Sequence, residues 1–142
     1  MTCLAAVHSV TATRLVAWLL VLGAVAFPAG AGTVGPVVST YVGNSSAGYG
    51  ADGGDRRESS LVMPGALAWG SVNRLFYSDS GRDFGSRIRR IDDSTGIVET
   101  VAGGGSRVAD GVAAREAELP PTPTGLAIDS HGNIFVGSDI GG

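Results

Sequence analysis

Apolar residues in this chain come in short bursts separated by turn-forming residues. Val37–Val42 alternates loosely and stops at Gly43. Residues 67–69 lie between Gly65 and Gly70, residues 75–78 between Asn73 and Gly81, and residues 87–91 between Gly85 and Asp92-Asp93. Residues 97–102 start after Thr95-Gly96 and end in Gly103-Gly104-Gly105. Residues 126–128 and 134–136 flank Ser130-His131-Gly132-Asn133, which reads as a tight hairpin turn. Short β-rich runs between glycine, asparagine and aspartate clusters predict strands. Only residues 113–119 could hold a helical turn, and that turn would sit in a loop.

The N-terminus departs from this pattern. Residues 15–27 form one uncharged apolar run that Pro28 breaks, followed by Ala29-Gly30-Ala31. A cation, an apolar segment and small residues before a cut are the parts of a secretory signal peptide, with cleavage after Ala31. Thirteen helical residues rise only about 20 Å, short of a ~30 Å hydrocarbon core. The reading is therefore a signal helix over 1–31, a linker over 32–36 and the body of the protein over 37–142. An uncleaved anchor, tethering the protein to a membrane, is the alternative to secretion.

The body repeats. Val38-Ser39-Thr40 and Gly43 return as Val98-Glu99-Thr100 and Gly103; Asp52-Gly53 and Leu61 return as Asp110-Gly111 and Leu119. Leu67-Ala68 and Leu75-Phe76 return as Leu126-Ala127 and Ile134-Phe135. The offsets stay within a residue of 59. Repeated sets of short antiparallel strands argue a propeller blade or a solenoid unit.

The second unit, with TVAGGG, DG and AREAELPPTPTGLAIDSHGNIFVGSD, resembles the long form of the NHL repeat. The first unit supplies LFYSDS and SRIRRIDDSTGIVETVAG in the same order. It departs from the pattern at Trp69-Gly70 and at Val72-Asn73-Arg74, and Gly137 reads as an insertion before Ser138-Asp139. The resemblance implies an all-β partial β-propeller. It would comprise an outer strand (Val37–Val42), one complete four-stranded blade (67–102) and the two inner strands of the next blade. Such an outer strand could close a ring by completing its last blade, and the unfinished blade reads as truncation or, alternatively, as a short chain that assembles a ring from several copies. The resemblance implies an exported, non-catalytic scaffold that binds a protein or a small ligand, together with the remaining blades of a parent chain. The alternative is an accessory or sensor part of a larger exported enzyme, a metal-assisted lyase or hydrolase, whose catalytic residues lie elsewhere.

Composition narrows the chemistry. Glycine is 23 of 142 residues without a collagen period, which fits a turn-rich sheet protein. Net charge is −3 and no basic run exceeds Arg89-Arg90, so nucleic acid is not an expected partner. The one cysteine, Cys3, precedes the apolar leader, leaving no disulfide and no thiolate site in the body. Histidines are limited to His8 and His131, too few for a zinc site, and no G-x-S-x-G elbow occurs. No catalytic residue, metal or cofactor is expected. Asp52-Gly53-Gly54-Asp55 lacks calcium-loop spacing and reads as a glycine turn. Arg87, Arg89 and Arg90 with Asp79, Asp83, Asp92 and Asp93 form the densest charged stretch, with Arg87, Arg89, Asp79 and Asp83 as the candidate surface. They read as a solvated strand face with exposed ion pairs, or as a surface holding an acidic or sugar-like ligand. Asn44-Ser45-Ser46 is an N-x-S sequon, so Asn44 is a glycan acceptor in a eukaryotic host.

Overall fold

The computed structural model describes the backbone of residues 4–8 and, with side chains, residues 36–81 and 85–139. The architecture is all-β and antiparallel, with no helix among the described residues. The strands are β1 (Leu4–His8), β2 (Val37–Val42), β3 (Gly54–Asp55), β4 (Pro64–Gly70), β5 (Arg74–Gly81), β6 (Gly85–Asp92), β7 (Ile97–Gly103), β8 (Pro123–Ile128) and β9 (Ile134–Ser138). Strands β4 to β7 form a simple meander, and β3 adds a short edge beside β7. β1 pairs with β2, and β8 pairs with β9.

Two strands were not legible in the sequence. β3 is two residues long, built on the backbone of the Asp52-Gly53 turn, where Gly53 has φ +83° and donates its N–H to Val98 O. β1 lies within the expected leader and pairs from Leu4↔Val42 to His8↔Val37. The apolar run 15–27, the linker and the cleavage point at Ala31 lie outside the described residues. At residues 113–119 the chain makes a hydrogen-bonded turn, with Glu116 and Ala117 N–H both donating to Ala113 O.

The meander is covered in part on both faces. On one, strand alternation aligns Leu75, Ile91 and Val98 across β5, β6 and β7. Leu61 from the connecting segment and Val42 from β2 cover that row; all are buried and pack with Tyr77 as one core. Leu61 can lie flat there because the segment is held at Gly43 N–H→Arg56 O, Asn44 N–H→Ser59 O and Leu61 N–H→Ser46 O. On the opposite face, Phe76 and Ile88 are buried, and the β8–β9 hairpin lies over the β4–β5 side. Ser78 Oγ bridges the layers, accepting from Ala66 N–H and donating to Pro123 O, both at 2.9 Å. Consequently every residue of β5 from Leu75 to Ser80 is buried, where a sheet with one wet face would alternate.

The two hairpins pair in the same register. Pro64↔Asp79, Leu67↔Tyr77, Ala68↔Phe76 and Trp69↔Leu75 match Pro123↔Ser138, Leu126↔Val136, Ala127↔Phe135 and Ile128↔Ile134. An irregularity follows the proline in each. Gly137 therefore stands at the place of Ser78 and is not an insertion. The connecting segments match as well: Gly43 N–H→Arg56 O and Glu58 N–H→Asp55 O correspond to Gly103 N–H→Ala114 O and Glu116 N–H→Ala113 O.

Candidate functional site

Arg87, Arg89 and Ile91 share one face of β6, with Ile88 on the other, as strand alternation requires. Arg87 is only partly buried, but at Arg89 and Asp79 that face is not solvated, which corrects the expectation of an exposed charged strand there. The segment between β2 and β4 folds over it, so Arg89 and Asp79 are fully buried. Asp79 lies opposite Arg87 across β5 and β6. Its carboxylate Oδ1 turns instead to the backbone, accepting from Val62 N–H at 3.0 Å and Met63 N–H at 2.9 Å. Burial raises the Asp79 pKa above the usual carboxylate range despite those hydrogen bonds and the nearby Arg89 charge. Asp79 is a clasp for the covering segment. Asp83 lies outside the described residues.

Arg89 is anchored from below. Its Nη1 donates to Gly50 O at 2.9 Å, and its Nη2 lies 3.3 Å from Asp52 Oδ1. Asp52 Oδ1 also accepts from Thr100 N–H (2.9 Å) and Thr100 Oγ1 (2.8 Å), and Asp52 Oδ2 pairs with Arg115. Burial pushes the Asp52 pKa up, but these hydrogen bonds and the two guanidinium charges hold it below its ordinary value. The Asp52-Gly53 turn expected from the sequence is present, and its carboxylate ties three separate parts of the chain to β7.

Above this cluster opens a cleft of about 390 Å³ lined by Tyr49, Asp52, Arg87, Thr100, Arg115 and the glycines beside them, Gly103 and Gly104 among them. Arg87 lies over the Tyr49 ring, 4.3 Å from guanidinium carbon to ring centroid, a favourable cation–π placement. The Tyr49 hydroxyl donates to Gly85 O at 2.5 Å and is 3.4 Å from Asp79 O, so the ring is pinned to the end of β5 and β6. Burial, then the Asp79 charge, raise the Tyr49 pKa. It therefore stays a neutral donor at physiological pH. Gly104 makes room for the arginine: a Cβ there would stand 2.8 Å from Arg87 Nε, and its φ of +82° suits glycine.

Sequence reasoning named Arg87 and Arg89 but missed Tyr49, Thr100 and Arg115, which come from three segments far apart in the chain. The triple-glycine run after β7 was the visible signal. Elsewhere, Asn44 is exposed in its loop, but its Nδ2 donates to Glu58 O and its Oδ1 accepts from Ser46 N–H. His131 sits in a turn organised by Asp129, whose Oδ1 accepts from His131 N–H and Asn133 N–H. Among the described residues, no group of three or more His, Cys, Asp or Glu is placed to hold a metal. No helix among them is long and apolar enough to cross a membrane. No protein-family model and no curated protein matches the sequence.

Proposed function

We propose that residues 37–142 are part of an exported, non-catalytic β-propeller of the NHL-repeat kind that serves as a binding scaffold. The observation that carries this reading is the pattern of covered and bare positions at matched sites of the two hairpins. Phe76 is 8% exposed beneath the β8–β9 hairpin, whereas its counterpart Phe135 is 58% exposed. Leu67 and Trp69 are 46% and 60% exposed, whereas their counterparts Leu126 and Ile128 are partly buried. Phe76 is thus shielded where a following hairpin lies over it, and Phe135 is bare where none does. Trp69 stays mostly exposed, with only the edge of Tyr41 from β2 against it, ring centroids 6.5 Å apart. Units that bury one face on the unit before and one on the unit after are the building blocks of propellers and solenoids. The occupants of the bare faces are further blades of a parent chain.

The pairing of β1 with β2 supports the closing role of β2. Cleavage after Ala31 would remove β1 and leave the β2 edge open for another blade, where an uncovered edge would otherwise invite aggregation. Residues 32–142 produced alone are expected to be molten or aggregated, with dye-accessible apolar surface, by sedimentation and near-UV circular dichroism. A monomer with a sharp, cooperative melt would overturn the reading.

A further inference from the structure

We propose that the cleft over β6 and β7 binds a small oxyanion, a carboxylate or phosphate group, with Arg87 as its principal contact. The proposal concerns residues within one blade and its loops, so it does not depend on how many blades the whole protein has.

Charge is the first ground. The chain carries a net charge of −3, yet Arg87 and Arg115 line this cleft with one carboxylate, Asp52, and the buried Arg89 lies beneath it. That carboxylate is already spent on Arg89, Arg115 and Thr100. Asp79 lies beneath the cleft and is committed to the backbone of Val62 and Met63. Among the described residues, no carboxylate pairs with Arg87, and its Nε is buried without an acceptor.

Preorganisation is the second. A surface arginine usually samples many rotamers, and immobilising it on binding has an entropic cost. Here the guanidinium is already seated on Tyr49, whose own hydroxyl is fixed to the backbone of Gly85. Arginine presents its donors as a planar fork suited to carboxylate and phosphate oxygens. The cleft volume falls in the lower part of the range of small-molecule sites, roughly 300–1,000 Å³. Thr100 and the Gly103-Gly104 backbone complete a wall with no bulky side chain.

The test is calorimetric titration of the exported full-length protein, in whatever assembly it forms, at constant ionic strength set by chloride. One arm uses inorganic phosphate, and the other uses acetate and glucuronate. Saturable binding in either arm is expected, and the arm with the tighter binding identifies the source chemistry. Arg87→Gln should weaken binding by about tenfold or more, as loss of a charged hydrogen bond does. Arg87→Lys, which keeps the charge but not the fork, should fall between. Arg57→Gln, on the exposed loop outside the cleft, should bind as the parent does. Near-UV circular dichroism and sedimentation identical to the parent's show that each variant keeps its fold and assembly. If Arg87→Gln disturbs them, Arg87→Lys and Gly104→Ala, which crowds the guanidinium, decide the outcome instead. Absence of saturable binding in both arms, or equal binding by the Arg87 variants and the parent, would sink the proposal while leaving the propeller reading intact.

Discussion

At the scale of single residues, the fold depends on a few buried groups with several duties each. Leu61 is the loop residue that seals the sheet, fully buried against β2, β5, β6 and β7. Truncation removes transfer energy and leaves a cavity, so Leu61→Ala should cost about 2–5 kcal/mol, read as a lower urea midpoint. Asp52 holds the buried Arg89, Thr100 and Arg115 together. Asp52→Asn should destabilise by about 1–3 kcal/mol at neutral pH, because it weakens the acceptor for a buried cation.

Asp52 and Asp79 respond oppositely to pH. The Asp52 pKa is lowered in the fold, so its contribution is present above about 3.8 and is lost as pH falls through its folded value. The Asp79 pKa is raised, so its contribution is full below about 3.8 and declines as pH rises through its folded value. Urea midpoints measured from acid to neutral pH should lose part of their acid-side slope in Asp52→Asn. Asp79→Asn should instead flatten the decline above the usual carboxylate range, since its side-chain oxygen can still accept from Val62 and Met63. Equal pH profiles for both variants and the parent would contradict this assignment.

At the scale of elements, the β4–β5 turn carries backbone strain that the β8–β9 turn avoids. Val72 and Asn73 both adopt left-handed conformations, at φ 59° and 53°. The left-handed conformation favours asparagine and glycine. Asn73 suits it, but a β-branched valine there costs about 1–2 kcal/mol. In the other hairpin the left-handed residue is Gly132, and Asp129 anchors the turn. Val72→Gly should therefore raise stability by about 1 kcal/mol and lift the melting temperature without altering β4–β5 pairing. No gain would mean that another feature compensates the valine. The same matched-site comparison explains Ser138. Asp79 accepts backbone N–H from Val62, but the corresponding residue is Pro121, which has no N–H, and there Ser138 Oγ donates to Pro121 O instead.

At the scale of the whole molecule, the decisive question is what covers the two bare ends. Phe135 on one side and Leu67 with Trp69 on the other are apolar positions whose counterparts are shielded. If further blades cover them, Phe135→Ser should impair the exported full-length protein, lowering its yield and melting temperature. If the face is wet in the mature protein, the same change should be neutral. The proposed cleavage after Ala31 belongs to this scale too. Intact mass and N-terminal sequencing of exported protein should find Gly32 as the first residue, and retention of β1 would argue for an anchored form.

Much of the architecture was already legible in the sequence because β-strands announce themselves locally. Glycine and asparagine turns bound each run, and a two-residue side-chain period forces Ile88 away from Arg87 and Arg89. The matched spacing near 59 residues carried the pairing register of both hairpins. What the sequence could not reveal was which sheet faces are wet, because that depends on segments folding back from a distance. Arg89 and Asp79 look like surface charges in their own strand and are interior only because residues 43–62 lie over them. The cleft is likewise a product of tertiary structure: Tyr49, Thr100 and Arg115 meet Arg87 only once a loop, β7 and the next connection converge. Local periodicity determines strands and their partners; burial and electrostatic environment are set by contacts between residues distant in the chain, which no local pattern encodes.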